Sequence, residues 1–463
     1  MAANSEDALA FVDRERERLL TELLDYLRIP SISTDPAYAP EVQRCAEFLM
    51  ARMREAGLTV VERIDAGGHP LVYGEWNGAP GKPTVLFYGH YDVQPADPLE
   101  LWRSAPFEPA EEDGFLVARG STDDKGQSYA HVKAIEAILK ERGRLPVNVK
   151  LLVEGEEESG GEAIETFVRK DGGKRLAADC VVISDTSMYA PGQPSMIYGL
   201  KGLCYMELTV TGPDKDLHSG TFGGGVTNPL NALCHIVSRL WNAETGKVMI
   251  PGFYDAVRPL ADWEREEFAA LPFDEGDYAA SLGISEAFGE QGYSTRERVW
   301  ARPTCDVNGI YGGYQGKGAK TVIPSWGGAK VSMRLVPDQD PKDVARKLTD
   351  FVKSVAPRGV TVEVSDLHGA QPTLLDTKGA PVEAAQDALE AVWGKRPVFV
   401  REGGSIPIVQ SFSEVLGVPV LMMGFGLPDD GLHSPNERFK IDNFYQGIRS
   451  VAVFLDRLAE VKE

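Results

Sequence analysis

Several side chains able to bind a divalent cation follow closely on apolar runs of this 463-residue chain. TVLFY (84–88) leads to His90 and, two residues on, to Asp92. VNVKLLV (147–153) leads to Glu157 and Glu158, and CVVI (180–183) leads to Asp185. VPVLMM (418–423) leads to His433 within GFGLPDDGLHSPNE, and Asp123 stands just ahead of a long helical stretch. Imidazole and carboxylate donors without thiolates suit catalytic zinc, manganese or cobalt. His90, Asp123, Glu158, Asp185 and His433 are too many for one catalytic ion with an open position. They suit two ions sharing one carboxylate, and the bridge is assigned to Asp123. Such a pair holds a hydroxide and polarises a carbonyl. Asp92, on the same side of an extended backbone as His90, is expected to accept the His90 ring N–H and fix its tautomer. Glu157 is expected to act as general base, carrying a proton from metal-activated water to the leaving amine. Glu156 makes a run of three glutamates, and Ser159-Gly160 behind them places the active pair at Glu157 and Glu158.

The elements that must position these residues follow from periodicity. Continuous apolar runs suit parallel strands buried on both faces. Residues 125–142 read as a helix, with Asp123 and Asp124 available to cap its free N–H groups. Residues 7–28, 41–57 and 443–461 also have helical spacing. In open α/β sheets, sites form beyond the carboxyl ends of the strands, so distant residues converge there. The middle of the chain differs. LCYMELTVT (203–211) and AKVSMRL (329–335) alternate as half-buried strands, followed by helical stretches at 228–242 and 341–355 and a further strand at 360–365. The expected architecture is a doubly wound α/β domain, its mostly parallel sheet carrying helices on both faces, with an inserted α+β domain. Boundaries fall at 1–199 and 373–463 for the catalytic domain and 200–372 for the insert. Residues 251–302 read as elaboration of the insert.

Composition narrows the classes. Charged content of 25% and hydrophobic content of 43% are those of a globular protein. A net charge of -21 excludes a nucleic-acid partner in the absence of any basic patch. No stretch is long and apolar enough to span a bilayer, and the N-terminal residues lack a signal-peptide pattern. Five scattered cysteines without CxxC spacing point away from a disulfide framework and towards the cytoplasm.

GHYDVQP (89–95), RGSTDDKG (119–126), EGEEESGG (154–161), ISDT (183–186), DLHSGTFGG (216–224), GAKTVIP (318–324), REGGSIP (401–407) and DDGLHSPNE (429–437) resemble the motifs of metallopeptidase family 20, in its dipeptidase and carnosinase branch. The resemblance covers about residues 10–460 and is weakest at 251–302. It implies the same five metal ligands, the same general base and a small peptide substrate, in keeping with the two divalent ions per subunit that the donor set calls for, zinc first with manganese or cobalt as alternatives. It also implies that the insert is a lid and dimerisation domain, and that the Asp123–Asp124 peptide is cis. His218 resembles a histidine that reaches into the partner subunit's site to stabilise the oxyanion. Arg334 resembles the arginine that grips the substrate carboxylate. Thr321, His368, Ser405 and the Gly403–Gly404 backbone resemble further substrate contacts. Asp124 departs from the asparagine common in this branch. The implied activity is dipeptide hydrolysis by a homodimer. An N-acyl amino acid deacylase or carboxypeptidase on the same scaffold is the alternative. A catalytically inactive dimeric binding protein is the third reading, disfavoured by the intact Glu157 and full ligand set.

Overall fold

The structure, a computed structural model, describes residues 5–404 and 406–461. Each apolar run forms a strand. Asn148–Glu154, Thr84–His90, Cys180–Ile183 and Val420–Met422 lie side by side in that order and parallel. Nearly every residue in them is buried, as expected for strands covered on both faces. Neighbouring residues show the two covers. Phe87 packs on His131 of helix Lys125–Arg142, whereas Tyr88 meets Phe412 of helix Pro407–Leu416 from the opposite face. Antiparallel strands Leu71–Trp76 and Val60–Ile64 extend one side, and Ser195–Leu200 pairs with Val420–Met422 on the other. The doubly wound α/β layer expected from the sequence is therefore present.

Helix Lys125–Arg142 is buried continuously from Lys125 to Ile138, packed against helices Glu6–Arg14, Ala39–Ala56 and Ile441–Glu460. It ends at Gly143, whose φ of 67 is the left-handed cap that glycine adopts freely. Its other end corrects an expectation. Asp124 is the N-cap residue, but its side chain caps nothing. Its Oδ2 instead accepts the His90 main-chain N–H at 3.2 Å. The stretch 7–28 is likewise two helices, Glu6–Arg14 and Arg16–Leu27, parted at Glu15.

The chain divides into two compact units. The first comprises Met1–Tyr198, Leu375–Val400 and Ile408–Glu463, the second Gly199–Leu374 and Arg401–Pro407. The second unit carries an antiparallel sheet in the order Thr304–Gly312, Trp326–Leu335, Gly202–Thr211 and Thr361–Ala370. Cys204, Met206, Leu208 and Val210 alternate inward and meet Ala329, Val331, Met333 and Leu335 beneath helices Pro229–Val237 and Pro341–Val355. The helix expected over 228–242 stops at Val237, because the chain turns back so that Trp241 can bridge to Val248. Strand Thr361–Ala370 outruns its expected end and continues through a register shift between Asp366 and His368. Within 251–302 lie three short helices, Asp262–Ala270, Glu275–Ser281 and Thr295–Ala301. The first is tied to Arg401 by a buried ion pair from Glu264.

Candidate active site

The parallel strands of the first unit deliver their carboxyl ends to one edge. His90 is the last residue of its strand, and Asp185 lies two beyond Ile183. Glu157–Ser159 forms a single 3-10 turn just past Glu154. Gly89 allows the strand to approach the helix here, since a Cβ would fall 2.5 Å from the Ser128 Cβ.

The five expected ligands fall into two groups that share Asp123. His90, Asp123 and Asp185 form one, and Asp123, Glu158 and His433 the other, with donor atoms in each within 4.8 Å of one another. The Asp123 carboxylate is divided between them. Its Oδ1 lies 3.1 Å from His90 Nε2, and its Oδ2 lies 3.0 Å from His433 Nε2. Asp185 Oδ2 is 3.7 Å from His90 Nε2, and Glu158 Oε2 is 3.2 Å from His433 Nε2. Two imidazoles and three carboxylates, arranged as two sets with one member in common, are a donor set that fits two divalent cations. The Asp123–Asp124 peptide is cis.

Electrostatics are dominated by crowded acids. Burial pushes the His90 imidazole down, yet Asp123, Asp92 and Asp185 outweigh it and hold it well above the usual range. Hydrogen bonds to Asp123 and Glu158 raise His433 to about 10. Burial, reinforced by Asp123 and Asp124, raises Asp185 far above an ordinary carboxyl. Burial also lifts Asp124 to about 8 and Glu157 to about 7. For Asp123 burial pulls upward, but the hydrogen bonds from His433 and His90 prevail and hold it below the usual range. Cations bound among these donors would displace the protons that such shifts favour.

Asp92 is fully buried, and its carboxylate lies beside the His90 ring as expected, with further contacts besides. The nearest acceptor to His90 Nδ1 is the Asp92 main-chain oxygen at 3.1 Å, with the carboxylate at 3.4 Å. The carboxylate oxygens also accept the main-chain N–H groups of Glu157 and Glu158, at 3.2 and 3.1 Å. Asp92 thus anchors the turn that carries both glutamates. Glu157 belongs to neither donor group. Glu156 is turned away from the cluster, accepting N–H groups from His69 at 2.7 Å and Ala163 at 2.9 Å.

Two residues that spacing did not single out also touch the ligands. Gln94 donates to Glu158 Oε2 at 2.8 Å, and Glu437 accepts the Asp123 main-chain N–H at 3.2 Å. Both lie inside motifs already quoted, GHYDVQP and DDGLHSPNE, which was the available signal.

Residues 86–457 match the model of peptidase family M20/M25/M40. This chain belongs to that family. Among its members, the Cys-Gly metallodipeptidase of Schizosaccharomyces pombe is 35% identical, over 97% of each chain. The crystal structure of human carnosine dipeptidase 1 is 31% identical and superposes with a TM-score of 0.86 over 99% of both chains. A family metallo-carboxypeptidase from Sulfolobus solfataricus is 34% identical, with a TM-score of 0.85 over 96% of this chain and 99% of that one.

The remaining expected residues of this family member lie in the second unit. His218 is exposed, and its Nδ1 accepts the Gly220 N–H at 3.0 Å. That bond leaves Nε2 as the ring donor. Thr321 is its neighbour, its oxygen accepting the Ser219 N–H at 3.1 Å. Arg334 is half-buried on strand Trp326–Leu335, level with Leu203 and Thr304. His368 is exposed and paired opposite Tyr205. The Gly404 oxygen accepts the Lys201 N–H at 3.1 Å. Ser405 lies outside the described residues. Among the described residues no helix is long and apolar enough to cross a membrane.

Proposed function

We propose that this family member is a dipeptidase, hydrolysing dipeptides or short peptides with two divalent cations per subunit, zinc first among them with manganese or cobalt as alternatives. The observation that carries this reading is the division of the Asp123 carboxylate between two donor groups, with Glu157 beside them and in neither. His90, Asp123 and Asp185 hold one cation, and Asp123, Glu158 and His433 the other. The cations supply Lewis acidity and a water nucleophile at neutral pH. Glu157 would take a proton at its carboxylate from the attacking water and pass it to the leaving amine. Asp92 keeps Glu157 and Glu158 in register by holding their main-chain N–H groups. Arg334 binds the substrate carboxylate, with Thr321, His368, Ser405 and Gly404 as further contacts. His218 donates from Nε2 to the developing oxyanion in the site of a second copy, in a homodimer formed through residues 200–372. The five free cysteines agree with a cytoplasmic location.

The likeness to a metallo-carboxypeptidase favours a second reading, in which the amino end of the substrate need not be free. A substrate panel separates the two. Free dipeptides, N-acylated amino acids, N-blocked dipeptides and longer peptides are supplied to chelator-treated protein with and without added Zn, Mn or Co. Hydrolysis confined to free dipeptides and requiring metal supports the dipeptidase. Cleavage of blocked substrates at comparable kcat/KM supports the alternative. No metal-dependent hydrolysis at all would leave a binding protein.

A further inference from the structure

The last residue of DDGLHSPNE has no part in the mechanism above, yet it is among the most enclosed carboxylates of the first unit. Glu437 is 0% exposed. Its Oε1 accepts the main-chain N–H groups of Thr122 at 3.0 Å and Asp123 at 3.2 Å. Its Oε2 accepts the Gly120 N–H at 2.9 Å and Arg119 Nη1 at 2.8 Å. Arg119 is itself 1% exposed, and its Nη2 donates to the Pro95 oxygen at 3.2 Å. The Glu437 main-chain oxygen accepts the Ala118 N–H at 3.0 Å. The carboxylate therefore joins its own segment, which bears His433, to the one bearing Asp123, and through Arg119 reaches Pro95 in the segment that follows His90. Gly120 makes the wrapping feasible. Its φ is 78, and a Cβ there would fall 2.5 Å from Val93.

We propose that Glu437 is a positioning residue for the metal centre, fixing the backbone from which Asp123 reaches both donor groups. The argument is geometric. Asp123 must present one oxygen to each group, and its short side chain has only two torsions with which to do so. A displacement of its main chain therefore passes directly to both sites. Loss of His90 or His433 would touch one group only, whereas loss of the Glu437 clamp touches the shared member. Charge-assisted hydrogen bonds to main-chain N–H groups are strong and directional, which suits a clamp. Partners of this kind typically change metal affinity by about 10- to 100-fold when removed.

This inference rests on the two-metal reading, and the test separates the two. Full-length apo protein is titrated with Co2+ in competition with a chromophoric chelator, and the cobalt absorption bands are recorded. Glu437→Gln is expected to weaken both binding steps together by about 10- to 100-fold and to alter the cobalt spectrum. Arg119→Met, which keeps the three main-chain donors, is expected to have a smaller effect. Lys133→Met removes a buried cation that pairs with Glu22 and Glu136. It is expected to lower the melting temperature while leaving Co2+ affinity within about twofold, because its partners lie outside the clamp and outside typical coordination partners. Folded Glu437→Gln protein with wild-type affinity for both ions overturns the proposal, as does a loss confined to one ion. Should Glu437→Gln not fold, Glu437→Asp decides, since it keeps the charge but shortens the reach. A parallel loss then supports the clamp, and unchanged affinity overturns it. Wild-type protein that binds fewer than two ions would instead sink the two-metal reading.

Discussion

Glu157 and Glu158 share a turn and an anchor, yet only Glu158 falls among the metal donors. Their substitutions should therefore fail differently. Glu157→Gln is expected to lower kcat by about 100- to 10,000-fold, the usual span for a general acid–base group, while elemental analysis still finds two metals per subunit. Glu158→Gln is expected to lose metal as well as activity. Near-normal turnover in metal-loaded Glu157→Gln protein would refute the assignment. The same cluster fixes a pH dependence. Asp124 at about 8, Glu157 at about 7 and His433 at about 10 all lie above their ordinary values. Groups raised in the folded state contribute stability fully at low pH and lose it as pH climbs through those values. Metal binding displaces the proton of His433, and the positive charge it brings disfavours those of nearby Glu157 and Asp124, so it strengthens over that range. The difference in melting temperature between metal-loaded and chelated protein should widen from about pH 6 to about pH 8.5 at fixed free metal. A constant or shrinking difference would contradict it.

At the scale of elements, the four parallel strands were legible because burial on both faces strips polar residues from them, and each leads to a donor. Five donors exceed what one open ion takes, which called for a shared member, and Asp123 is the residue common to both donor groups. Other features left weaker marks. Edge strand Thr304–Gly312 is partly exposed and lacks the alternation of its neighbours, so no period betrays it. The anchoring role of Asp92 was hidden because main-chain N–H groups have no residue type to read. Glu156, Glu157 and Glu158 are chemically identical in sequence, and only the turn sorts them. The approach of strand Thr84–His90 to helix Lys125–Arg142 gives a prediction at this scale. Gly89→Ala would press a methyl against Ser128. Overpacking of this kind typically costs about 1–3 kcal/mol, so thermal melting of the metal-free variant should fall by several degrees. An unchanged melt would show that the two elements separate freely.

At the scale of the molecule, the proposed homodimer is tested by mixing inactive partners. Glu157→Ala and His218→Ala each disable a site, but a mixed dimer carries both lesions in one site and neither in the other. After random exchange, activity should rise towards about a quarter of wild type if His218 serves the opposite copy. No recovery despite demonstrated exchange rules out the shared site. A different consequence follows from the strand order of the first unit. Val420–Met422 pairs with both Cys180–Ile183 and Ser195–Leu200, and the whole second unit is encoded before it. Domains emerging from the ribosome fold as their residues become available. The insert is complete in the growing chain while the sheet that surrounds its insertion point still lacks a strand. His433 arrives later still, so a nascent chain holds no second donor group with which to capture an ion. Loading of the second ion is thereby deferred until synthesis has passed the last ligand, and an abandoned translation product carries His90 and three carboxylates but no finished two-ion centre.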